Sequence, residues 1–186
     1  MKLEEIKSRL ASYRPDLERY PDDEVARLTL LLALEAVEKG NFGIGCVLVG
    51  PDGSLVEQGF NEVFCRADGV PLFRSGAHGE MVVMDRFEVK HPGVTSMDGY
   101  RLYTSLESCP MCMTRLICSG VSVVLHVADD LEGGMVRNKH LLPPVWQKMM
   151  KPQIFAAARC SEELRDLSRA ILMSNVAELN EKLLTR

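Results

Sequence analysis

The chain has 186 residues, 46% of them apolar, with 22 Lys and Arg against 26 Asp and Glu, a net charge of −4 and a pI near 5.6. Such a length supports one domain with a sizeable core, and the acidic balance gives no general attraction to nucleic acid. No apolar run approaches a membrane span, and the charged start M-K-L-E-E-I-K-S-R-L holds no signal-peptide core, so a cytoplasmic location is expected.

Met1 to Leu10 predicts a short amphipathic helix, and Tyr13 to Pro21 a polar connection broken by Pro15 and Pro21. Residues 1–21 are therefore read as a helical extension, and 22–186 as a single domain. Asp22 or Asp23 is placed to cap the next helix, which runs to about Lys39 and stops at Gly40. Gly43 to Val49 reads as a buried strand, Pro51-Asp52-Gly53 as a turn, and Leu55 to Phe60 as the returning strand of a hairpin. Asn61 to Ala77 has no periodicity and reads as a loop. A helix follows over Gly79 to Val89, then a connection from His91 to Gly99.

Arg101 to Leu106 alternates as a strand does, and Pro110 to Ile117 has helical apolar spacing. Val121 to Val127 predicts another strand, which a strand–helix–strand unit makes parallel to the one before it. Asp129 to Gln147 reads as a loop with at most short helices, Gln153 to Ala157 as a fifth strand, and Glu162 to Leu184 as a final helix. This order predicts an α/β fold, a three-layer α/β/α sandwich around a mixed five-stranded sheet. Trp146 is read as closing a pocket or docking the final helix.

The chemistry concentrates in E-S-C-P-M-C. Cys109 falls where a helix begins, Pro110 takes the first helical position, and Cys112 follows one turn later, so both sulfurs face the same side. The partial positive charge of a helix N-terminus favours their thiolates. In a reducing compartment cysteines read as thiols or metal ligands, and two thiolates make half of a metal site. The remaining four, Cys46, Cys65, Cys118 and Cys160, lie in or near apolar segments and read as small core residues. Upstream, His78-Gly79-Glu80 offers a nitrogen ligand with a carboxylate two residues on. Zinc favours four ligands with one exchangeable in catalytic sites. His78, Cys109 and Cys112 supply three and leave the fourth to water. Among other histidines, no spacing recommends His91, His126 or His140 as the closing ligand of a structural site.

H-x-E followed by P-C-x-x-C marks zinc-dependent nucleobase deaminases. With G-I-G-C-V-L-V, G-F-N-E-V, H-G-E and L-Y-T-S-L-E-S-C-P-M-C-M in that order, the chain resembles the cytidine and deoxycytidylate deaminase superfamily over about Ala26 to Val127. Phe42-Gly43 is similar to the branch of guanine deaminases and tRNA adenosine deaminases, while H-G-E and L-Y-T-S-L are similar to cytosine deaminases. One departure is Ser108, which stands where the family pattern has proline.

The resemblance implies hydrolytic removal of an amino group as ammonia, with Zn2+ as cofactor and Glu80 carrying a proton from water to a ring nitrogen and then to the leaving amine. It implies that Asn61 hydrogen-bonds the base or sugar, that Gly79 offers its backbone N–H to a ring carbonyl, and that Phe42 stacks on the base. Asn61 has strand capping as its alternative role, and Phe42 is equally suited to the core. Asp129, Asp130 and Glu132 are weighed as readers of the substrate and left as solvated surface.

The expected substrate is a small guanine- or cytosine-like base or nucleoside, with polynucleotide disfavoured by the acidic charge and no membrane partner. Homo-oligomerisation, as a dimer, is implied by the family alone. The alternatives are tRNA adenosine deamination within the family and, outside it, a thiol–disulfide protein using Cys109 and Cys112, which gives His78 and Glu80 no task.

Overall fold

The computed structural model describes residues 1–67 and 69–185, so Asp68 of the predicted Asn61–Ala77 loop and the terminal Arg186 lie outside the described residues. The chain opens with α1 (Leu3–Ser12) and α2 (Asp23–Glu38), followed by β1 (Gly45–Val49), β2 (Leu55–Phe60), β3 (Phe64–Ala67) and β4 (Val70–Phe73). Then come α3 (Gly79–Lys90), β5 (Arg101–Leu106), α4 (Pro110–Ser119), β6 (Val123–Ala128) and α5 (Pro144–Met149). The last elements are β7 (Ile154–Ala157), α6 (Glu162–Met173) and α7 (Val176–Leu184).

Five strands form the main sheet in the order β2-β1-β5-β6-β7. β1 is antiparallel to both β2 and β5, whereas β6 and β7 run parallel to β5, which gives the mixed sheet that the element order predicts. Every residue of β1 is buried, as in a central strand with helices on both faces. Alternation sends its side chains to opposite cores. Cys46 and Leu48 meet Val83, Met84 and Phe87 of α3 and Met113 and Leu116 of α4. Val47 and Val49 meet Leu32 and Ala36 of α2. Behind α2, Leu30 and Ala33 pack with Ile6 and Leu10 of α1 and with Leu164, Leu167 and Ile171 of α6. Three layers result, with α3, α4 and α5 on one face and α1, α2 and α6 on the other. A Cβ on Gly45 would stand 2.1 Å from the Thr29 carbonyl oxygen, so α2 sits this close to β1 only over a glycine.

Several elements differ from their sequence-based expectations. β3 and β4 form a separate antiparallel hairpin inside the predicted loop, with Phe64 opposite Phe73. The strands are four residues each and the second contains Pro71, so neither produces a readable period. The predicted final helix is two helices, interrupted at Ser174–Asn175, where the Asn175 amide donates to the Asn41 carbonyl at 2.7 Å. Cys118 is exposed and Cys65 half-buried, so only Cys46 and Cys160 of those four are core residues. Trp146 packs on the α3–α4 core, away from the C-terminal helices.

The capping expectation for Asp22 and Asp23 also fails, because their carboxylates serve more distant donors. Asp22 Oδ2 accepts from the Arg159 N–H at 2.7 Å and Oδ1 from the Tyr103 hydroxyl at 3.1 Å. Asp23 accepts from the Ser161 N–H at 2.8 Å and from the Tyr13 hydroxyl. The segment entering α6 would otherwise bury unpaired donors, and pairing them outweighs a local cap. Together with Ile6 and Leu10, the Tyr13–Asp23 bond ties the 1–21 segment to α2 and to the core that α2 shares with α6.

Candidate metal centre and active site

The two halves of the sequence motif meet because α3 and α4 start side by side against the same sheet face. His78 is the residue preceding α3 and Cys109 the residue preceding α4, each with extended backbone that projects its side chain over a first turn. Pro110 holds the first position of α4, and Gly120, at φ 75°, ends that helix in the left-handed conformation. Cys112 lies in the first turn and is buried.

The ligand atoms of His78, Cys109 and Cys112 all lie within 4.8 Å of one another. His78 Nδ1 is 3.5 Å from Cys109 Sγ. Tetrahedral zinc with bonds of about 2.3 Å to sulfur and about 2.0–2.1 Å to nitrogen separates those two atoms by about 3.6 Å. The donor set and spacing fit that ion.

Two helix N-termini converge here, and the charges follow. The hydrogen bond from Cys112 lowers the Cys109 pKa to about 4, with His78 adding to the effect. The same bond, together with burial, pushes the Cys112 thiol well up. His78 is raised by its hydrogen bond to Cys109. Of the two thiols, Cys109 is therefore the first to supply a thiolate.

Glu80 is 3% exposed, and burial raises its carboxyl, with the neighbouring Cys109 charge acting in the same direction. One of its oxygens, Oε1, accepts a hydrogen bond from the Ser108 hydroxyl at 2.9 Å. A buried carboxyl beside a metal-ligand cluster suits an acid–base role.

Of the three residues weighed for substrate contact, two lie together. A Cβ on Gly79 would meet the backbone nitrogen of Asn61 at 3.6 Å, Cys46 Cβ at 3.5 Å and the Ile44 carbonyl at 3.5 Å, ordinary contacts that leave room for a small side chain. Asn61 is buried, and its Oδ1 accepts from the Val63 N–H at 3.1 Å, the strand-end role that its position also suggests. Phe42 is half-buried with its ring centroid 5.9 Å from that of Phe64, and Phe64 is 5.6 Å from Phe73, so it forms an aromatic row with the unforeseen hairpin.

Sequence reasoning overlooked Glu107. Buried at the end of β5, its Oε1 accepts from the Arg137 N–H at 2.9 Å, and its Oε2 from the Asp130 N–H at 3.1 Å and Arg137 Nε at 2.9 Å. It clamps the 130–137 loop beside the metal-ligand turn, where the Met135 N–H also donates to the Ser108 carbonyl at 2.9 Å. The available signal was an acidic residue following a buried apolar strand. Asp130 in turn accepts from the N–H groups of Glu132 and Gly133.

His126 Nε2 pairs with Asp129 Oδ1 at 3.0 Å, and Glu107, His126 and Asp129 bring ligand atoms within 4.8 Å of one another. Both Glu107 oxygens already take donors from the loop, with the Arg137 guanidinium meeting the charge, so this group reads as a structural clamp.

Residues 19–128 match the cytidine and deoxycytidylate deaminase zinc-binding region. Among curated proteins, the tRNA-specific adenosine deaminase of Bacillus subtilis (strain 168) is 37% identical over 102 residues, covering 55% of this chain and 58% of the relative. The guanine deaminase of the same organism is 33% identical over 102 residues, covering 54% of this chain and 60% of the relative. The match thus spans less than two thirds of either relative. A solved structure from work on A-to-I editing by tRNA:A34 deaminases superposes with a TM-score of 0.61 at 26% identity, covering 78% of this chain and 96% of that one. The chain belongs to the cytidine and deoxycytidylate deaminase family.

Proposed function

We propose that this family member is a hydrolytic deaminase of an amino-substituted nucleobase or nucleoside, with His78, Cys109 and Cys112 holding zinc and Glu80 as the catalytic residue. The observation that carries the reading is the convergence of those three ligand atoms within 4.8 Å beside a buried Glu80. Bound zinc would supply the Lewis acidity that makes water a competent nucleophile near neutral pH. Glu80 takes one proton from the attacking water and delivers it to the ring nitrogen, then takes the second from the added hydroxyl and gives it to the amine, so that the C–N bond breaks, a carbonyl forms and ammonia leaves. Its burial fits this work, since a carboxyl raised toward neutrality both accepts and releases a proton readily. Asn61 and Gly79, adjacent at the mouth of α3, would orient the ring, and Phe42 would stack on it from the aromatic row.

An aminopurine is the first candidate substrate, because the named relatives act on adenosine in tRNA and on guanine. The tRNA reading is favoured by the 37% identity to the Bacillus enzyme, while the net charge of −4 favours the free base or nucleoside. Exposed Leu141, Val145 and Met149 on one short stretch offer contact residues for the homo-oligomer that the family implies. Among the described residues, no helix is long and apolar enough to cross a membrane, which accords with the cytoplasmic location we propose.

The test is ammonia release by zinc-loaded protein across guanine, adenine, cytosine, their nucleosides and monophosphates, and an anticodon stem-loop. Turnover on one compound identifies the class. Glu80→Ala should retain zinc and lose turnover by about 100- to 10,000-fold. An active variant would remove Glu80 from the mechanism.

A further inference from the structure

We propose that Ser108 is a positioning residue for Glu80, holding one carboxylate oxygen so that the other is presented to the reacting atoms. This inference rests on the reading of Glu80 as the proton carrier. Ser108 is 1% exposed and directly precedes Cys109. Its hydroxyl donates to Glu80 Oε1 at 2.9 Å, with both side chains in the interior.

The geometry gives that bond a particular task. Ser108 belongs to the turn between β5 and α4, whereas Glu80 belongs to the first turn of α3. The hydrogen bond therefore joins the two segments that carry the metal ligands, and it fixes the carboxylate relative to both. The donor end is itself immobilised. On one side Ser108 leads into the extended residue that starts α4, and its own carbonyl accepts from the Met135 N–H at 2.9 Å.

A glutamate side chain has three rotatable bonds, and packing alone leaves the terminal one broad. A proton carrier that serves first water and then two nitrogens must keep one oxygen within hydrogen-bond reach of each in turn. Holding Oε1 leaves Oε2 for that work and restrains rotation of the carboxylate. The proline of the family pattern has no donor to offer at this position, so the hydroxyl is a feature of this chain. In the sequence Ser108 stands out only as a departure from that proline. Its side chain reaches the acid–base group as well.

Ser108→Ala removes the hydroxyl and nothing larger. In zinc-loaded protein, we expect kcat to fall by about 10- to 100-fold with KM within about twofold, the scale seen when an orienting partner is lost. Zinc stoichiometry should be unchanged. The infrared carboxylate band of Glu80, assigned by its disappearance in Glu80→Gln, should shift in Ser108→Ala. A wild-type kcat would overturn the proposal. So would loss of zinc, which would make Ser108 a builder of the ligand turn, or a rise in KM matching the fall in kcat, which would assign it to binding. If the wild-type protein released no ammonia from any compound, the functional reading would fail. The infrared band would still report whether Ser108 holds Glu80.

Discussion

If α1 is part of the folded core, truncating one of its buried side chains must destabilise the whole protein. Leu10 is fully buried, among Ile6, Ala26, Leu30, Leu164, Leu167 and Ile171. Leu10→Ala deletes three carbons, worth about 2.4 kcal/mol in transfer free energy at about 0.8 kcal/mol each. Partial relaxation of three surrounding helices leaves a cavity, which raises the total to about 3–4 kcal/mol. For a chain of this size each kcal/mol moves Tm by about 2–4 °C, so a fall of roughly 10 °C is expected. The assay is a thermal melt of zinc-loaded protein followed by far-ultraviolet and near-ultraviolet circular dichroism together. Leu17→Ala, at a side chain 50% exposed, is the control and should stay within about 0.5 kcal/mol. A Leu10→Ala protein that melts like the wild type, or that loses a small helical signal in a separate early transition, would refute the reasoning and make α1 an independent appendage.

Cys109→Ser should abolish tight zinc binding while leaving the apo fold intact, because Cys109 starts a helix that Pro110 and Gly120 delimit without it; metal analysis after dialysis and a far-ultraviolet spectrum check both halves. Burial holds the His126 pKa below 6.5 against the opposing effects of Asp129 and Glu107. The fold therefore favours the neutral ring, a contribution present above pH 6.5 and lost as pH falls through the folded value, and an NMR titration midpoint at or above 6.5 would contradict it. A Cβ on Gly134 would stand 2.4 Å from Glu107 Oε2 and 2.5 Å from the Asp130 carbonyl oxygen, so Gly134→Ala should cost about 1–3 kcal/mol. Hydrogen exchange should quicken at the Asp130 and Arg137 amides in that variant, and unchanged protection at both would discount the clamp.

The candidate site residues were legible because their spacing is dictated locally. A cysteine that begins a helix, a proline after it and a second cysteine one turn on need no tertiary information, and neither does a carboxylate two residues from a histidine. The strand–helix alternation likewise announced a mixed sheet. What escaped notice depends on partners far away in sequence. Asp22 and Asp23 look like caps until the donors of Arg159 and Ser161 arrive from more than 130 positions further on. Glu107 declares its role only when Asp130 and Arg137 fold back on it. The β3–β4 hairpin was overlooked for a different reason, since Asp68-Gly69 is a two-residue turn signal but four-residue strands carry too little pattern to frame it. In the C-terminal helices the apolar period continues through Ser174–Asn175, and the break depends on the distant Asn41 carbonyl.

The docking of α1 on α6 has a bearing on synthesis. Arg9 and its ion-pair partner Glu163 are 154 positions apart, so until α6 is made the apolar face of α1 has only α2 to cover it. The His78 to Cys112 segment closes a much shorter loop and can assemble earlier, with α3, β5 and α4 in hand. During translation the metal-binding half would thus precede the face that shields Ile6 and Leu10. In that interval the apolar face shared by α1 and α2 would stay partly open.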